Sequence, residues 1–273
     1  MVHSDDSILV FIPAYNCAPQ IGRVIAQFNH TEVAKAMSAI LCVDNRSTDA
    51  TAEQASKALT TCPVEKRFLV RNTENYGLGG SHKVAIDFAK THDYRHVIVL
   101  HGDDQGSITD ILPLLHEGEH QRHDALLGAR FMSGSRTPGY SLLRTLGNRA
   151  FNLLYSLGTG RRLYDLGSGL NHFRTALFED DFHRKYPDDL TFNYALIMGL
   201  AIRKADFRFF PVEWREDDQI SNVRLLRQAA KMLLLLTGQI MGGKRYLASE
   251  HRQTARASYP YEIVETWSGL SEG

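Results

Sequence analysis

The chain has 273 residues, of which 43% are hydrophobic and 23% are charged, so it is long and apolar enough for one large α/β domain and is not a disordered protein. Its net charge is zero and no nucleic-acid-binding motif accompanies its basic segments, which disfavours a nucleic-acid partner. Its three cysteines form no C-x-x-C pair, so neither a disulfide framework nor a zinc site is indicated.

The two ends of the chain bear on its location. The first residues are acidic ahead of an apolar run and lack the basic segment of a secretory signal. The longest apolar stretch near the other end, residues 232–241, is too short to span a bilayer. We therefore expect a cytoplasmic protein that is soluble or lies on the cytoplasmic face of a membrane without crossing it.

Short apolar segments alternate with helical patterns along the first half of the chain. The predicted buried strands are residues 7–13, 39–44, 66–70, 96–101 and 124–130. The predicted helices are residues 49–60, 79–92 and 107–117. Strands separated by helices of this length form a mainly parallel sheet covered on both faces, so we expect an α/β, Rossmann-like fold.

Polar residues follow three of these strands directly. Tyr15 and Asn16 follow the first strand, Asp44 and Asn45 end the second, and the segment HGDDQ, residues 101–105, follows the fourth. In parallel α/β sheets, ligands bind at the carboxyl ends of the strands. We therefore expect these polar groups to converge on one cleft.

The segment HGDDQ places two carboxylates, an imidazole and an amide beside a buried strand. If the segment is extended, His101, Asp103 and Gln105 share one face and form a possible three-ligand metal set. A divalent ion facing a diphosphate would compensate the carboxylates. The alternative is a solvated loop in which Asp103 or Asp104 caps the helix that starts near residue 107.

The second half of the chain changes character after residue 130. Residues 140–158 predict an amphipathic helix with one polar stripe, and leucines occupy the rest of its surface. The stripe consists of Arg144, Asn148, Asn152 and Tyr155. Residues 222–241 predict a second helix, in which basic residues mix with leucines as in an interfacial helix. The alternative for each helix is packing on its own domain.

Basic residues cluster in two tracts. Six arginines and one acid lie between residues 131 and 174, and seven Lys or Arg residues accompany a single glutamate between residues 219 and 256. Both tracts favour an anionic partner, phosphate or lipid, over nucleic acid. Scattered surface arginines are the alternative interpretation.

Six motifs resemble, in order and spacing, those of the family 2 glycosyltransferases of GT-A fold. They are FIPAYNCAPQI, VDNRSTDAT, NTENYGLGGSHKVA, VLHGDDQGS, LLGARF and YDLGSGLNHFR. The chain is most similar to the branch that contains dolichyl-phosphate mannosyltransferases and polyprenyl-phosphate sugar transferases, over residues 7 to 235. The resemblance implies a GT-A domain over residues 1–218, with a nucleotide-binding part at 1–130 and an acceptor part at 131–218. Residues 219–273 would then form a C-terminal amphipathic helix and tail.

The resemblance also implies a set of residues that bind the nucleotide-sugar donor. They are Pro13, Ala14, Tyr15, Asn16, Asp44, Asn75, Gly79 and Asp103. Two positions depart from the family pattern: Asn45 replaces a second acid and Arg46 replaces a glycine. These departures leave open whether the donor carries uridine or guanosine diphosphate.

The family pattern places the divalent metal, Mn²⁺ or Mg²⁺, on Asp103 and Gln105. Where the family more often has an aspartate, this chain has His101. A histidine ligand removes one negative charge and adds a nitrogen donor, which shifts the expected preference from magnesium towards manganese.

The resemblance implies catalytic roles for Asp103, Arg130, Asp165 and Arg215. The implied acceptor-side residues are Arg144, Asn148, Ser168, Ser221 and Asn222. A phosphate acceptor is already ionised and needs arginines to hold it, whereas a hydroxyl acceptor needs a general base, for which Asp165 is the candidate.

These expectations together describe a metal-dependent, inverting hexosyltransferase that acts on a polyprenyl phosphate, with possible attachment to an anionic membrane surface. A family member that acts on a soluble hydroxyl acceptor is the first alternative. A nucleotide-sugar-binding module without catalysis is the second, because Asn45 and His101 replace acids. A nucleotidyltransferase is disfavoured, because no glycine- and lysine-rich loop follows the first strand. The oligomeric state stays open.

Overall fold

The computed structural model describes residues 6–216 and 225–269. Its strands are β1 (Ile8–Ala14), β2 (Ala39–Asp44), β3 (Lys66–Asn72), β4 (His96–Leu100), β5 (Ala125–Ala129), β6 (Leu170–Arg174), β7 (Phe207–Pro211) and β8 (Tyr261–Ser268). They form one sheet in the order β7-β5-β6-β4-β1-β2-β3-β8.

Nine α-helices accompany the sheet within the described residues. They are α1 (Ala18–Ala26), α2 (Thr31–Ala36), α3 (Thr51–Thr61), α4 (Gly77–Thr91), α5 (Leu112–His116), α6 (Glu119–Arg122), α7 (Leu142–Thr159), α8 (Phe192–Ile202) and α9 (Leu225–Leu247). Short 3₁₀ turns at 27–29, 108–110, 175–178 and 182–185 complete the regular structure.

The sheet is mainly parallel, as the sequence predicts. Strand β1 pairs in parallel with β2 and β4, β2 pairs in parallel with β3, and β5 pairs in parallel with β7. Strands β6 and β8 are antiparallel to their neighbours. The expected α/β fold with helices on both faces is therefore confirmed.

The core lies on both faces of the central strands. In β1, Phe11 faces an apolar cluster that includes residues of α4 and α8, whereas Ile12 faces a second cluster that includes residues of α1 and α3. Each such side chain stabilises the fold by about 1.5–3 kcal/mol through burial. Because both faces are covered, these strands are continuous apolar runs in the sequence.

Three strands of the second half were not predicted from the sequence. Strand β6 lies between β4 and β5, and β8 pairs with β3, so both enter the sheet built by the first half of the chain. Segments on both sides of residue 130 therefore share one sheet, and the domain boundary predicted there stays a prediction; the boundary predicted at residue 218 lies outside the described residues. The tail after Arg256 contributes an edge strand to this sheet.

Helix α7 turns its polar stripe inward. Asn152 and Tyr155 are the buried residues of the helix. The Tyr155 hydroxyl donates to the Met232 carbonyl of α9 at 2.8 Å, and Asn152 Nδ2 donates to the Tyr164 carbonyl at 2.6 Å. The leucines of α7 face outward, with Leu142 82% exposed. Its amphipathic pattern is thus the reverse of an ordinary surface helix.

Helix α9 is described from residue 225 onward and kinks at Gly243, which has a φ of 58°. It exposes apolar residues, among them Leu226, Leu234 and Met241. Within the described ranges, no helix is both long and apolar enough to cross a membrane.

Candidate active site

The ends of β1, β2 and β4 meet at one edge of the sheet, where the sequence predicts a cleft. The Asn45 amide donates to the Ala14 carbonyl at 2.9 Å, and the Gly102 amide donates to the Pro13 carbonyl at 3.1 Å. The polar segments that follow these strands are therefore tied to one another by backbone hydrogen bonds. Pro13, Ala14, Asp44 and the segment 101–105 all lie at this edge.

Asp44 is fully buried at the end of β2 and is compensated by an arginine of β3. Its Oδ2 accepts from Arg71 Nε at 2.7 Å, and its Oδ1 accepts from the Ser47 amide at 3.0 Å. The Arg71 side chain is 37% exposed. The pair therefore places a cation and a carboxylate together at this edge of the sheet, and the donor-binding role of Asp44 stays a prediction.

Asn45, which replaces an acid of the family pattern, is the centre of an amide network. Its Oδ1 accepts from Asn72 Nδ2 at 2.8 Å and from the Tyr76 amide at 2.9 Å. Its Nδ2 donates to Asn75 Oδ1 at 2.8 Å. Only an amide both accepts and donates in this way, because a carboxylate carries no N–H. The replacement of the family's acid by Asn45 thus has a packing reason, and the hydrogen bond from Asn45 holds Asn75 at the cleft.

Two residues, one just after β1 and one just after β2, adopt left-handed backbone conformations. Asn16 has a φ of 49° and Arg46 has a φ of 63°. Asn16 Oδ1 accepts from the Thr48 amide at 2.8 Å, which supports its turn. Left-handed geometry costs a residue with a side chain about 1–2 kcal/mol. The glycine that the family pattern has at position 46 suits this conformation, and this chain retains it with an arginine.

Gly79 lies in the first turn of α4 and packs against the protein. A Cβ atom there would lie 2.4 Å from the Pro187 carbonyl oxygen and 2.6 Å from Phe192 Cβ. Any larger residue would force the segment before α8 away from α4. The structure thus gives Gly79 a packing role, and its contact with a donor stays a prediction.

The metal motif is a turn and not an extended segment. Strand β4 ends at Leu100, and Asp104 has a φ of 59°. The expected alternation of His101, Asp103 and Gln105 on one face is therefore wrong. Asp104 is directed at α1 and the turn that follows it, where its carboxylate accepts from Arg23 Nε at 2.7 Å and from Gln27 Nε2 at 3.4 Å.

Asp103 lies in a largely desolvated position. Burial raises the pKa of its carboxyl to about 6, although the hydrogen bond from the Gln105 amide opposes this shift. A buried carboxylate with a raised pKa gains from a nearby cation, because the cation stabilises its charged form. This environment fits the divalent metal that the sequence motif predicts.

Gln105 and Arg215 lie side by side. The Arg215 amide donates to the Gln105 carbonyl at 2.9 Å, and Gln105 Nε2 donates to the Arg215 carbonyl at 3.2 Å. The side-chain nitrogen of Gln105 is thereby used, so its Oε1 is the atom available for the metal-binding role that the sequence predicts. The structure thus brings Arg215 to the metal motif from 110 residues away.

His101 is enclosed by the protein. Its backbone amide donates to the Gly169 carbonyl at 3.1 Å, and its Nε2 is buried without a hydrogen-bond partner among the described residues. Burial, with a smaller effect from Arg130, lowers its pKa to about 4, so the imidazole is neutral. A neutral imidazole is the form that ligates metals. Its role as a ligand stays a prediction, because its Nε2 is sealed from solvent.

Arg130 and Asp165, which the sequence analysis places in separate roles, form a buried ion pair. Arg130 Nε donates to Asp165 Oδ2 at 2.7 Å and Arg130 Nη2 donates to Oδ1 at 2.8 Å. The Asp165 carboxylate also accepts from the amides of Arg130 and Gly167. Asp165 is thus fully engaged as an acceptor, and the arginine fork is directed at it.

The described acceptor-side residues surround this pair. Ser168 is buried, and a Cβ atom on Gly167 would lie 3.1 Å from Arg130 Nη2. Arg144 pairs with Glu216, and Asn148 Nδ2 donates to the Tyr140 hydroxyl at 2.9 Å. The Arg130 guanidinium stacks near the rings of Tyr140 and Trp214. The predicted residues Ser221 and Asn222 lie outside the described residues.

A buried lysine near the cleft was missed by the sequence analysis. Lys83 of α4 is fully buried, and its Nζ donates to Asp188 Oδ1 and the Tyr186 carbonyl, each at 2.6 Å. Burial lowers its pKa to about 8, although the hydrogen bond that it donates to Asp188 opposes this shift. These two partners of Lys83 lie more than 100 residues away in the chain, so no local sequence pattern predicts the contacts. Asp188 and Asn75 line a common cavity of about 450 Å³.

Comparisons with known proteins support the expected family. The sequence model described as Glycosyl transferase family 2 matches residues 9–186. This match covers more than half of the chain and includes the strand ends that form the cleft. No protein with a curated description matches the sequence significantly.

Solved structures share the fold at low sequence identity. Mannosyl-3-phosphoglycerate synthase from Rubrobacter xylanophilus is similar with a TM-score of 0.63 and 13% identity, over 97% of this chain and 90% of that one. Glucosyl-3-phosphoglycerate synthase from Mycobacterium tuberculosis gives a TM-score of 0.60 and 15% identity, over 85% and 81%. A structure of the same M. tuberculosis enzyme with Mn²⁺, UDP-glucose and glycerol 3-phosphate gives 0.59 and 14%, over 85% and 80%. At this identity the likeness establishes the fold alone.

Proposed function

The chain belongs to glycosyl transferase family 2, and from that membership we propose that it transfers a sugar, with inversion, from a nucleotide-sugar donor to the phosphate of a polyprenyl phosphate. The donor would lie along the ends of β1, β2 and β4. UDP- and GDP-sugars both fit this proposal. The hydrogen bonds of Asn45 explain by packing why an amide replaces the second acid of the family pattern, so this replacement does not decide between the two bases.

A divalent metal is part of the proposal. Asp103 and Gln105 Oε1 would hold it, with His101 as a further candidate ligand. When bound, Mn²⁺ or Mg²⁺ neutralises charge on the departing nucleoside diphosphate as a Lewis acid. The raised pKa of Asp103 supports this assignment, because a cation stabilises the charged form of a desolvated carboxylate. Asn16 and Asn75, which would contact the nucleotide-sugar donor, lie on the loops that follow β1 and β3.

The outward leucines of α7 are the observation that carries the choice of a lipid acceptor. Leu142 and Leu143 are 82% and 78% exposed, at the end of the helix nearest Arg144 and the Arg130 pair. Helix α9, which contacts α7, adds exposed Leu234 and Met241. Soluble proteins rarely expose so many large apolar residues on adjacent helices, and such surfaces accompany binding of lipid or another apolar partner.

The acceptor chemistry follows from the ionisation of a phosphate. An oxygen of the lipid phosphate attacks the anomeric carbon of the sugar, a new carbon–oxygen bond forms, and the bond to the nucleoside diphosphate breaks with its electron pair on the leaving group. This acceptor needs no general base, because its oxygen is already charged. Asp165, which accepts four hydrogen bonds within the protein, is consistent with a mechanism that requires no base.

Arginine would hold the acceptor phosphate. We assign this role to Arg215, whose backbone is fixed beside Gln105. Arg130 would instead position the site through its pair with Asp165 and its stacking near Trp214. Peripheral attachment to an anionic membrane surface belongs to the same proposal, because exposed leucines and the arginines of the second half would meet acyl chains and headgroups together.

A soluble phosphorylated acceptor is the second candidate. The similar structures are of synthases named for phosphoglycerate products, and one contains glycerol 3-phosphate. Such an acceptor presents both a phosphate and a hydroxyl. This candidate would use the same cations but would also need a base, for which Asp188 beside Asn75 is better placed than Asp165.

The test measures nucleoside diphosphate release from a panel of UDP- and GDP-sugars with Mn²⁺ or Mg²⁺. Each donor is incubated with a polyprenyl phosphate in detergent, with 3-phosphoglycerate, or with no acceptor. Release stimulated by the lipid phosphate, with a glycolipid product, supports the proposal. Stimulation by 3-phosphoglycerate alone favours the second candidate, and donor binding without release under any condition favours a binding module.

A further inference from the structure

A cluster of histidines lies at the edge of the sheet opposite the candidate active site. His96 begins β4, whereas the metal motif follows the end of that strand. Asp6 precedes β1, and His120 lies in α6. Three separate parts of the chain therefore bring titratable side chains together at the amino-terminal edge of the sheet.

The distances in this cluster are too long for hydrogen bonds and suit an ion between the groups. His96 Nε2 lies 3.6 Å from Asp6 Oδ1, and His120 Nε2 lies 3.5 Å from Asp6 Oδ2. The three candidate ligand atoms all lie within 4.8 Å of one another. Ligands about 2.1 Å from a tetrahedral metal are separated from each other by about 3.4 Å. Only a small closure would bring these atoms into coordination distance.

The cluster also has unsatisfied polar atoms. His120 is 3% exposed, and neither of its ring nitrogens has a hydrogen-bond partner in the described part of the chain. Buried polar atoms without partners are uncommon in folded proteins and call for an explanation such as a bound ion. Burial lowers the pKa of His96 to about 4 and lowers that of His120, so both rings are in the neutral, ligating form near pH 7.

Neighbouring side chains orient the candidate ligands. His96 Nδ1 lies 3.0 Å from Nε2 of the buried His172, so a hydrogen bond between them leaves His96 Nε2 facing Asp6. Gln121 donates to the Asp6 carboxylate from the side. Histidine ligands of metals commonly hydrogen-bond through their second nitrogen in this way.

We propose that Asp6, His96 and His120 bind a divalent transition-metal ion, separate from the metal at Asp103, with Zn²⁺ as the preferred ion. Two imidazole nitrogens and one carboxylate oxygen are a donor set that suits zinc, cobalt and nickel over magnesium. A fourth position would open on the adjoining cavity of about 970 Å³, which Asp6 and His96 line.

The ion would fasten the segment before β1 to β4 and α6. Because it binds the folded chain through residues that are far apart in sequence, it would stabilise the fold by mass action. This inference does not depend on glycosyl transfer, because none of its three ligands lies in the candidate active site.

The test uses Co²⁺ as a spectroscopic probe on the full chain carrying Asp103→Asn, which removes the predicted catalytic metal ligand. We expect visible absorption typical of four-coordinate cobalt that saturates at one equivalent and is bleached by Zn²⁺. His120→Ala should abolish the band. His116→Ala, which changes an exposed histidine at the end of α5, is the matched control and should retain it.

Thermal unfolding supplies a second readout. The parent is again the chain carrying Asp103→Asn. Zn²⁺ at a hundredfold excess over its dissociation constant should raise the Tm of this parent, and of its His116→Ala variant, by about 5 °C. It should not raise the Tm of the His120→Ala variant. Asp6→Asn, near the start of the described chain, replaces His120→Ala if that variant does not fold. A missing cobalt band in the parent, or an equal band and Tm shift in Asp6→Asn, would overturn the proposal in favour of a metal-free histidine cluster.

Discussion

Arg130 and Asp165 form a bidentate ion pair that is almost wholly buried, with side chains 8% and 1% exposed. Burial opposes the charge of Arg130, but the adjacent carboxylate outweighs it and raises the pKa of the guanidinium. The two residues that the sequence suggests as phosphate clamp and general base therefore neutralise each other. Their hydrogen bonds join the end of β5 to the segment before β6, and their catalytic roles stay predictions.

The first prediction is that Asp165→Asn destabilises the fold by about 3–5 kcal/mol, because it leaves a buried arginine without its counter-charge. Urea unfolding followed by circular dichroism measures the change. The control is Glu213→Gln, which breaks a pair with the 79% exposed Arg136 and should cost less than about 1 kcal/mol. Normal stability with lost transfer to a hydroxyl acceptor would instead restore Asp165 as a base.

The second prediction concerns the metal motif. Asp103→Asn should abolish the Mn²⁺-dependent part of nucleoside diphosphate binding, because it removes the charged ligand that a divalent ion needs. Isothermal calorimetry with and without Mn²⁺ measures this. Asp104→Asn is the matched control, since Asp104 pairs with Arg23 of α1, and should retain the metal effect. Equal loss in both variants would mean that local folding, and not ligation, explains the result.

How far the sequence predicts this site depends on how local each signal is. The strand ends at Asp44 and Asp103 are predictable, because an apolar run followed by polar residues marks each of them. The pair of Arg130 with Asp165 is not, since it joins residues 35 apart through a turn. Strand β6 escapes prediction because buried Asn171 and His172 interrupt its apolar pattern.

The inversion of α7 has a similar cause. Residue spacing predicts a polar stripe and an apolar remainder, but spacing alone does not say which side faces the protein. The buried hydrogen bonds of Asn152 and Tyr155 decide it, and their partners lie in other segments. The histidine cluster is likewise assembled by the sheet from residues dispersed between positions 6 and 172.

The third prediction concerns acid stability. Burial holds the pKa of His183 at about 3, below its ordinary value of 6.5, so the unfolded chain binds a proton that the folded chain does not. The stability that this neutral histidine contributes is present above pH 6.5 and is lost as the pH falls towards 3. The free energy of unfolding of the parent, relative to that of His183→Leu, should therefore fall by about 1.4 kcal/mol for each pH unit between pH 6 and pH 4.

Urea unfolding of both proteins at several pH values measures this slope, so the packing effect of the substitution itself cancels. The same measurements on His116→Ala, which changes an exposed histidine, serve as the matched control. A slope equal to that of the parent in His183→Leu would show that His183 becomes protonated within the fold.

The fourth prediction concerns the left-handed residue that departs from the family pattern. Arg46→Gly should stabilise the protein by up to about 1 kcal/mol, because glycine adopts a φ of 63° without steric cost. Arg46→Val should destabilise it, since a β-branched residue resists this conformation. Thermal unfolding measures both variants. A destabilised Arg46→Gly would show that contacts of the arginine side chain outweigh its backbone strain.

The last prediction tests the outward face of α7. Leu143→Glu combined with Leu146→Glu should weaken binding to anionic phospholipid vesicles at least tenfold, because two charges replace apolar contacts on side chains that are 78% and 66% exposed. Transfer to a polyprenyl phosphate should fall with it, whereas donor binding stays normal. Ile263→Glu, which charges a 59% exposed position on the edge strand β8, is the matched control and should leave both properties unchanged. Vesicle co-sedimentation and calorimetry with the nucleoside diphosphate supply the measurements. Vesicle binding that is unaltered by the double substitution would remove the lipid-acceptor argument that α7 carries, and would favour the soluble phosphorylated acceptor.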